Sequence, residues 1–481
     1  MATLSSLGVG SGLDSESIVK SLVALERKPA ETIAATNTKL ETKVSTWGKV
    51  QSAFSSLQDA AAALNKDDFW TATKATSSDS TAVSVTTGAA TATGSYNVTV
   101  QSLASSQYLA STPFANKSAA VGEGTLTIKI GSYTSDNAVP PVVTFNAKSA
   151  ASEYEIAIGP DDNTLEKIRD KINSANAGVT ASLVNDVTGT RLVLAGTTGA
   201  ENAFQISVSE NPAAPGLSKL AYDASTGGTS QMSRTQAASN AQATINGLSV
   251  SSASNTMTDV VEGLTLQLNK VSASPASITV TQDTESIRKG IDTFVSAYNN
   301  VVSTIRVQTK YDPDSKTAGA LQGDSTARSL LTQIRDLVGA NSGASSVFGR
   351  LTDIGMDIKV DGTISVNSTK LTSAMGNLTE LKKFFANSDV NNSGNNGMSQ
   401  RIAAMTKQVL DPDGAISSRT ASIKSQIDDN KDKIERIDSR VALVEARLRS
   451  QYSALDSTMT KLNGLSSYVT AQLASLNNNN K

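Results

Sequence analysis

Apolar residues near the N-terminus recur at spacings of three and four, which places them on one face of a helix. The clearest series is Leu40, Val44, Trp47, Val50, Phe54, Leu57, Ala61 and Leu64. An earlier series, Ile18, Leu22 and Leu25, has the same spacing. Pro29 follows it, and because proline removes a backbone donor we expect the helix to end or kink there.

The C-terminal end carries the strongest periodic pattern. It alternates steps of three and four through Ile416, Thr420, Ile423, Ile427, Asn430, Ile434, Ile437, Val441, Val444 and Leu448. After one irregular step it resumes with Tyr452, Leu455, Met459, Leu462, Val469, Leu473 and Leu476. This spacing predicts a coiled-coil seam. A helix with one apolar seam is marginal alone in water, so we expect the N-terminal helix to pair with it.

The middle of the chain alternates apolar and polar residues, which predicts strands. The alternating positions are Val83 and Val85; Tyr96, Val98 and Val100; Leu264, Leu266 and Leu268; and Ile278 and Val280. Two dipeptides, Asn246-Gly247 and Asp361-Gly362, predict tight hairpins. Helical stripes return after Asp283, through Ile287, Ile291, Phe294, Tyr298, Val301 and Ile305 and then through Leu330, Leu331, Ile334 and Leu337.

The segment between Thr125 and Val208 has strand-like runs around one predicted helix, Leu165 to Ala175. Asn163 and Glu166 have the spacing of a capping box at the start of that helix. Stretches rich in glycine, serine and threonine near 117–124 and 227–239 bracket the segment, and we interpret them as linkers.

These patterns predict an α+β multidomain fold, with helical, coiled-coil terminal legs and nested β-rich domains in the middle. We expect four parts, and each of the outer three is assembled from two separate stretches of the chain. The parts are a terminal leg of 1–38 and 436–481, a helical domain with a β-hairpin of 39–75 and 284–435, a β-rich head domain of 76–114 and 236–283, and an inserted outer head domain of 115–235.

Composition narrows the chemistry of the 481-residue chain. It contains no cysteine and no histidine, which excludes disulfides, thiol and Ser-His-Asp catalysis and the usual zinc ligands. We therefore expect no enzyme, no cofactor and no metal site. The net charge is −2, which argues against bulk nucleic-acid binding. No 18-residue apolar run occurs, so no membrane insertion is expected, and the N-terminus lacks the pattern of a cleaved secretory signal.

Three motifs invite more specific interpretations. Gly8, Gly10 and Gly12 resemble a nucleotide loop, but too few residues precede them for the strand that such a loop needs. Asp389 begins an EF-hand-like spacing that ends at Gln400 rather than at a bidentate glutamate, so calcium binding is not expected. Neighbouring acids at 67–68, 161–162 and 428–429 are interpreted as helix-terminal or solvated charges. Phe69 and Trp70 are interpreted as core packing at a domain junction, or else as a protein contact.

Several segments, taken in order, resemble the flagellar filament-cap family, hook-associated protein 2. The N-terminal segments are Gly8 to Asp14, Ile18 to Leu22, Leu25 to Arg27 and Gly94 to Ala104. Thr190 to Leu194 and Thr198 to Ala200 are similar to a repeat shared by flagellins and hook-associated proteins. Gly323-Asp324, Asp353 to Gly355, Asp361-Gly362, Tyr452 to Leu455 and Ser466 to Tyr468 match later parts of the family pattern.

The resemblance implies a structural cap, secreted to the distal tip of the filament, which promotes insertion and polymerisation of exported flagellin. It implies a homo-oligomeric ring, with a pentamer expected, that also meets the hook–filament junction protein and an export chaperone at its C-terminal region. The legs would carry the interface with self or filament. The expected interface residues are Ile18, Leu22, Leu25, Leu462, Leu465, Val469 and Leu473.

Two alternatives remain open from the residues. A flagellin-like or hook–filament junction protein would share the helical termini and outward β domains. A surface adhesin would bind host glycans through the outer domain.

Overall fold

The computed structural model describes residues 14–88, 91–149, 153–314 and 316–478. In those ranges the chain forms nine α-helices. They are α1 (Ser15–Leu64), α2 (Asp67–Trp70), α3 (Leu165–Ser174), α4 (Thr284–Thr309), α5 (Ser325–Gly339), α6 (Ser368–Ala374), α7 (Leu378–Ala386), α8 (Met398–Leu410) and α9 (Ala415–Asn478). All but α3 come from the two ends of the chain.

The strands lie mostly between α2 and α4. The first ten are β1 (Thr73–Ser77), β2 (Val83–Thr87), β3 (Gly94–Ser102), β4 (Ser106–Ala110), β5 (Gly124–Ser135), β6 (Val143–Ala147), β7 (Glu153–Ile158), β8 (Val179–Asp186), β9 (Gly189–Thr198) and β10 (Ala203–Glu210). The next six are β11 (Ser233–Gln236), β12 (Ala241–Ile245), β13 (Leu248–Ser252), β14 (Thr256–Val261), β15 (Leu264–Leu268) and β16 (Ala276–Gln282). Two short hairpins follow, β17 (Tyr311–Asp312) with β18 (Thr317–Ala318), and β19 (Met356–Ile358) with β20 (Ile364–Val366).

The described residues divide into two compact units, one reaching Trp70 and resuming at Glu285, the other Thr71–Thr284. The first unit is helical. Its core is built by the second half of α1, by α4 to α8 and by the start of α9, and includes Trp47, Phe54, Phe294 and Phe385. Trp47, Phe54 and Phe294 come from the stripes with helical spacing, since a helix buries the face on which its apolar residues recur.

The second unit is β-rich and holds two separate cores. One core lies among strands β2, β3, β12 and β14 to β16. The other lies between α3 and the strands of two four-stranded sheets, one ordered β11-β4-β9-β8 and the other containing β5, β6, β7 and β10. Neighbouring strands in the described sheets pair antiparallel. The Asn246-Gly247 hairpin between β12 and β13 has positive φ at both residues, as a tight two-residue turn requires.

The α+β architecture, with long terminal helices and β-rich segments nested between them, is confirmed. The finer division into four parts stays a prediction. The sheet β11-β4-β9-β8 bears on the predicted boundary at residue 115. Strand β4 lies before that residue, yet it pairs with β9, which lies inside the predicted insert. In the described ranges no helix has a stretch long and apolar enough to cross a membrane.

Pro29 does not end the first helix, so the expected break there is wrong, whereas a kink at Pro29 stays a prediction. Helix α1 is continuous for 50 residues and contains Pro29. The proline lies on the exposed side of the helix. The carbonyl that loses its donor can therefore bond water, and the pairing of α1 with α9 supports the helix on its other side.

The predicted capping box of α3 is also wrong. The residue before the helix is Thr164, and its side chain makes no capping hydrogen bond. The first free backbone donors, on Leu165 and Glu166, instead bond the carbonyls of Ala119 and Lys117. The Glu166 carboxylate pairs with Lys117 at 3.5 Å. A neighbouring loop therefore caps this helix, and local sequence does not reveal that.

Candidate protein interface on the terminal helices

Helices α1 and α9 pack side by side and run in opposite directions. Four cross-helix contacts fix this orientation. Asn430 Nδ2 donates to Asn37 Oδ1 at 2.9 Å, and Arg27 pairs with Asp438 at 3.3 Å. Further along, Arg440 pairs with Glu26 at 3.1 Å, and Arg449 pairs with Glu16 at 2.8 Å. Since the numbers fall along α1 as they rise along α9, the two helices are antiparallel.

The pair from Glu16 to Arg449 lies at the very start of α1. Both terminal nitrogens of Arg449 donate to Glu16, at 2.8 and 3.2 Å. The hydrogen bond from Arg449 lowers the pKa of Glu16, and the same bond raises the pKa of Arg449. Asp14 accepts a hydrogen bond from the backbone of Ser17 and so caps the helix. Because Arg449 and Glu16 keep 38% and 37% of their side chains exposed, their ion pair sets geometry more than stability.

The seam that α1 presents to α9 passes through Val19, Val23, Glu26, Ala30, Ile33, Asn37 and Leu40, with steps of three and four. Val19 is 1% exposed and Ala30 is 4% exposed. On α9 the facing residues include Ile434, Ile437, Val441 and Val444, which belong to the predicted heptad series. The predicted pairing of the two terminal helices is therefore observed.

The predicted residues on α1 lie one position away from that seam. Ile18, Leu22 and Leu25 are on the adjacent flank and remain 38%, 40% and 63% exposed. Sequence reasoning missed the buried series because Asn37 and Glu26 interrupt it. A backward extension from Leu40 in steps of three and four would have found it.

The predicted residues on α9 are exposed as well. The exposed fractions are 53% for Leu462, 60% for Leu465, 46% for Val469 and 62% for Leu473. Since Arg449 faces Glu16, residues 453–478 extend past the first residue of α1 over about 40 Å at 1.5 Å per residue. The structure thus brings the two predicted sets onto one helix pair but not into contact with each other. The segment 1–13 is outside the described residues.

The exposed end of α9 differs chemically from the paired part. Between 457 and 478 the only charged residue is Lys461, whereas 428–440 is rich in both signs of charge. Leu462, Leu465, Val469 and Leu473 form one stripe at helical spacing, flanked by serine, threonine, asparagine and glutamine. We call these four apolar residues the distal stripe. A partner for it would be chosen by apolar shape and neutral hydrogen bonding rather than by charge.

The glycine motif and the EF-hand-like spacing from the sequence are not part of this helix pair. Gly8, Gly10 and Gly12 lie outside the described residues. The Asp389 carboxylate accepts hydrogen bonds from the Asn395 amide and from the backbone of Asn391 and Asn392, which together lower its pKa. It thus organises its own loop. Among the described residues no group of three or more acidic side chains is placed to hold a metal ion.

The neighbouring acids are engaged in ion pairs near the surface. Asp67 pairs with Lys382 at 2.6 Å, Asp162 with Lys171 at 2.8 Å, and Asp428 with Lys431 at 3.2 Å.

The aromatic pair after α1 lies at the helical core. Trp70 is 3% exposed, and its Nε1 donates to the carbonyl of Leu64 at 2.7 Å. Phe69 meets it edge-on, with ring centroids 5.1 Å apart.

Three family models match the chain. Residues 11–107 match the flagellar hook-associated protein 2 N-terminus, and residues 238–464 match its C-terminus. Residues 125–198, in the β-rich unit, match the flagellin hook IN motif.

Several curated relatives are similar over their full length. The flagellar hook-associated protein 2 of Escherichia coli (strain K12) is 35% identical, with 100% of each chain covered. That of Salmonella typhimurium is 32% identical and covers 99% of this chain and 100% of the relative. Among solved structures, the D1-D2-D3 domains of the flagellar cap protein FliD from Escherichia coli match with a TM-score of 0.63 at 32% identity, over 79% of this chain and 99% of that one.

Proposed function

Because this chain belongs to the flagellar hook-associated protein 2 family, the family of the flagellar cap protein, we propose that its terminal helix pair is the leg that engages the filament end. The protein is a structural component of the flagellum, not an enzyme. It forms the cap at the distal tip of the filament. A flagellin-like or junction protein, or an adhesin, is not favoured.

The observation that carries the proposal is the exposed distal stripe on α9. Its four predicted residues are each about half exposed, although they continue the same seam that is buried against α1 further along the helix. A long helix with an open apolar seam is marginal in water and gains stability when another helix covers it. Contiguous exposed apolar residues of this kind mark interaction sites.

The exposed flank of α1 is the second part of the proposed contact. Ile18, Leu22 and Leu25 follow one another at steps of four and three, so they form a stripe beside the seam that α9 covers. A filament subunit could contact this stripe while α1 and α9 stay paired. Each apolar side chain that becomes buried would contribute about 1.5–3 kcal/mol before the ordering cost.

Partners follow from membership of the family. Cap proteins of this family form homo-oligomers and associate with flagellin, and we propose the same for this chain, with five copies in a ring. We further propose contact with the hook–filament junction protein, and with an export chaperone at the neutral C-terminal part of α9. Binding of host glycans by the outer head domain stays a hypothesis without a supporting contact.

The test replaces Leu22, Leu25, Leu465 and Val469 by aspartate in one variant. The variant is produced in a strain that lacks its own cap protein, and secreted monomeric flagellin is compared with filament length. We expect flagellin to leak into the medium and filaments to be short or missing, because charge facing an apolar partner costs more than the lost contact. The β-rich unit has separate cores and should stay folded.

A matched control adds the same four charges on the other faces of the same helices, at Ala24, Ala35, Ser467 and Ala471, all of which are exposed. We expect this control to cap filaments normally. If the first variant also gives filaments of normal length, the legs are dispensable and the proposal fails. If both variants fail equally, added charge rather than the apolar stripes is responsible.

A further inference from the structure

The leg and the helical core meet at a polar layer in which Asn37 is buried and Asn430 is half-buried. Asn37 is 8% exposed, accepts a hydrogen bond from Asn430 and donates to the carbonyl of Ile427 at 3.4 Å. Ile427 is the last residue of α9 that belongs to the helical core, and Leu40 is the first residue of α1 that packs against that core. The asparagine pair therefore interrupts an apolar seam at the point where the core ends.

Beyond this layer the seam is less well buried than the core. Val19, Ala30 and Val441 are 1%, 4% and 7% exposed, but the other apolar residues of the seam are only half-buried: Val23, Ile33, Ile434, Ile437, Val444 and Leu448. In the core, by contrast, Trp47, Val50, Phe54 and Leu57 have no exposed surface at all. In this part of the helix pair, α1 and α9 are also joined by the solvent-accessible ion pairs of Arg27, Arg440 and Arg449. Such pairs are weak and are screened by salt.

We propose that residues 15–36 of α1 and 431–452 of α9, here called the proximal leg, open as one unit without disturbing the helical core. Local opening follows cooperative blocks of structure, and a block ends where few buried apolar contacts connect it to the next. When the proximal leg opens, the two asparagine amides exchange their mutual bond for water. An apolar layer at the same place would instead carry the buried seam unbroken into the core and couple the two parts.

Opening would release a second apolar surface. The seam of α1, at Val19, Val23, Ala30 and Ile33, is covered in this structure, and the facing seam of α9 would become continuous with the distal stripe. The use of these released seams at the filament end depends on the function proposed above. The opening itself does not, and it can be measured on the free protein.

Hydrogen exchange of the purified full chain, resolved by mass spectrometry, tests the opening. We expect amides of the proximal leg on both helices to exchange at one common rate, at least about ten-fold faster than amides of 47–64. Added salt should speed the leg amides and leave those of 47–64 unchanged. Equal protection of leg and core, or different rates for the two halves of the leg, would overturn the proposal.

The asparagine layer is tested by the double variant Asn37→Leu with Asn430→Leu. It should bring leg protection to within about three-fold of the core value, because leucine continues the seam. The matched control, Ile33→Leu with Ile434→Leu, alters an adjacent position on each helix without changing its polarity and should leave the difference in place. Leg protection that rises no more in the asparagine variant than in the control would overturn the role of the layer.

A disulfide tests whether opening is used in capping. Steps of three and four from the asparagine layer place Val23 opposite Val444, and the chain has no cysteine of its own. The purified variant Val23→Cys with Val444→Cys is added with flagellin to filaments that lack a cap. We expect growth with the reduced protein and loss of growth with the oxidised protein, while Val23→Cys alone is active under both conditions. Full activity of the oxidised double variant would show that the leg works closed.

Discussion

Replacement of Asp324 by alanine should weaken the attachment of α9 to the helical core. Asp324 is 4% exposed and caps α5, where its Oδ1 accepts hydrogen bonds from the backbone of Thr326 and Ala327 at 3.0 and 3.3 Å. Its other oxygen accepts from Arg419 Nε, on the first turns of α9, at 2.9 Å. One carboxylate thus joins the start of α5 to the base of the leg.

The magnitude follows from these two roles. Loss of a side-chain N-cap costs about 1 kcal/mol. A hydrogen bond to a charged partner contributes about 1.5–3 kcal/mol, and the lower end applies because Arg419 keeps 32% of its side chain exposed and can be hydrated. We therefore expect Asp324→Ala to lower the free energy of unfolding by about 2–3 kcal/mol. Asp324→Asn keeps a capping oxygen and should cost about 1 kcal/mol.

Urea unfolding followed by tryptophan fluorescence provides the assay. The chain has two tryptophans, Trp47 and Trp70, and both lie in the core of the helical unit. The signal therefore reports on that unit and not on the β-rich one. A double-mutant cycle of Asp324→Ala with Arg419→Ala should give a coupling of at least about 1 kcal/mol. A loss below about 0.5 kcal/mol for Asp324→Ala, or no coupling, would refute this account.

Three further predictions concern other parts of the chain. A fragment of 104–238, which retains β4 and β11 beside β9, should melt cooperatively and at higher temperature than the fragment 115–235; equal melting would show that β4 adds nothing. Millimolar calcium should not raise the melting temperature, because the Asp389 carboxylate already binds its own loop; a rise that Asp389→Ala abolishes would contradict this. The hydrogen bond from Lys383, with others from Ser345 and Ser346, lowers the pKa of Glu380 to about 2. Its stabilising effect is present above pH 4.5 and is lost as pH falls towards 2, so Glu380→Gln should flatten that part of the acid-unfolding curve, and an unchanged curve would refute the assignment.

The sequence predicted the elements whose patterns are long or locally determined. The heptad series of α9 and the stripe from Leu40 to Leu64 became helices, and Asn246-Gly247 became a tight turn. Predictions that needed knowledge of neighbours failed. The cap of α3 comes from the loop at 117–119, and Pro29 is tolerated because it faces solvent on a helix supported by α9. The role of Asp324 could not be predicted either, because its partner Arg419 is distant in sequence and comes close only in the folded chain.

In the first turns of α1, the most hydrophobic stripe is not the face that packs against α9. Ile18, Leu22 and Leu25 form the larger and more regular stripe, yet α9 covers the adjacent series that begins at Val19 and includes Ala30. Smaller residues let two helices approach closely, and Asn37 and Glu26 in the same series bond across to α9. Helix α9 therefore covers the face of α1 whose polar residues can bond to side chains of α9. The large apolar residues that stay exposed on both helices are the ones that we propose as contacts for another chain.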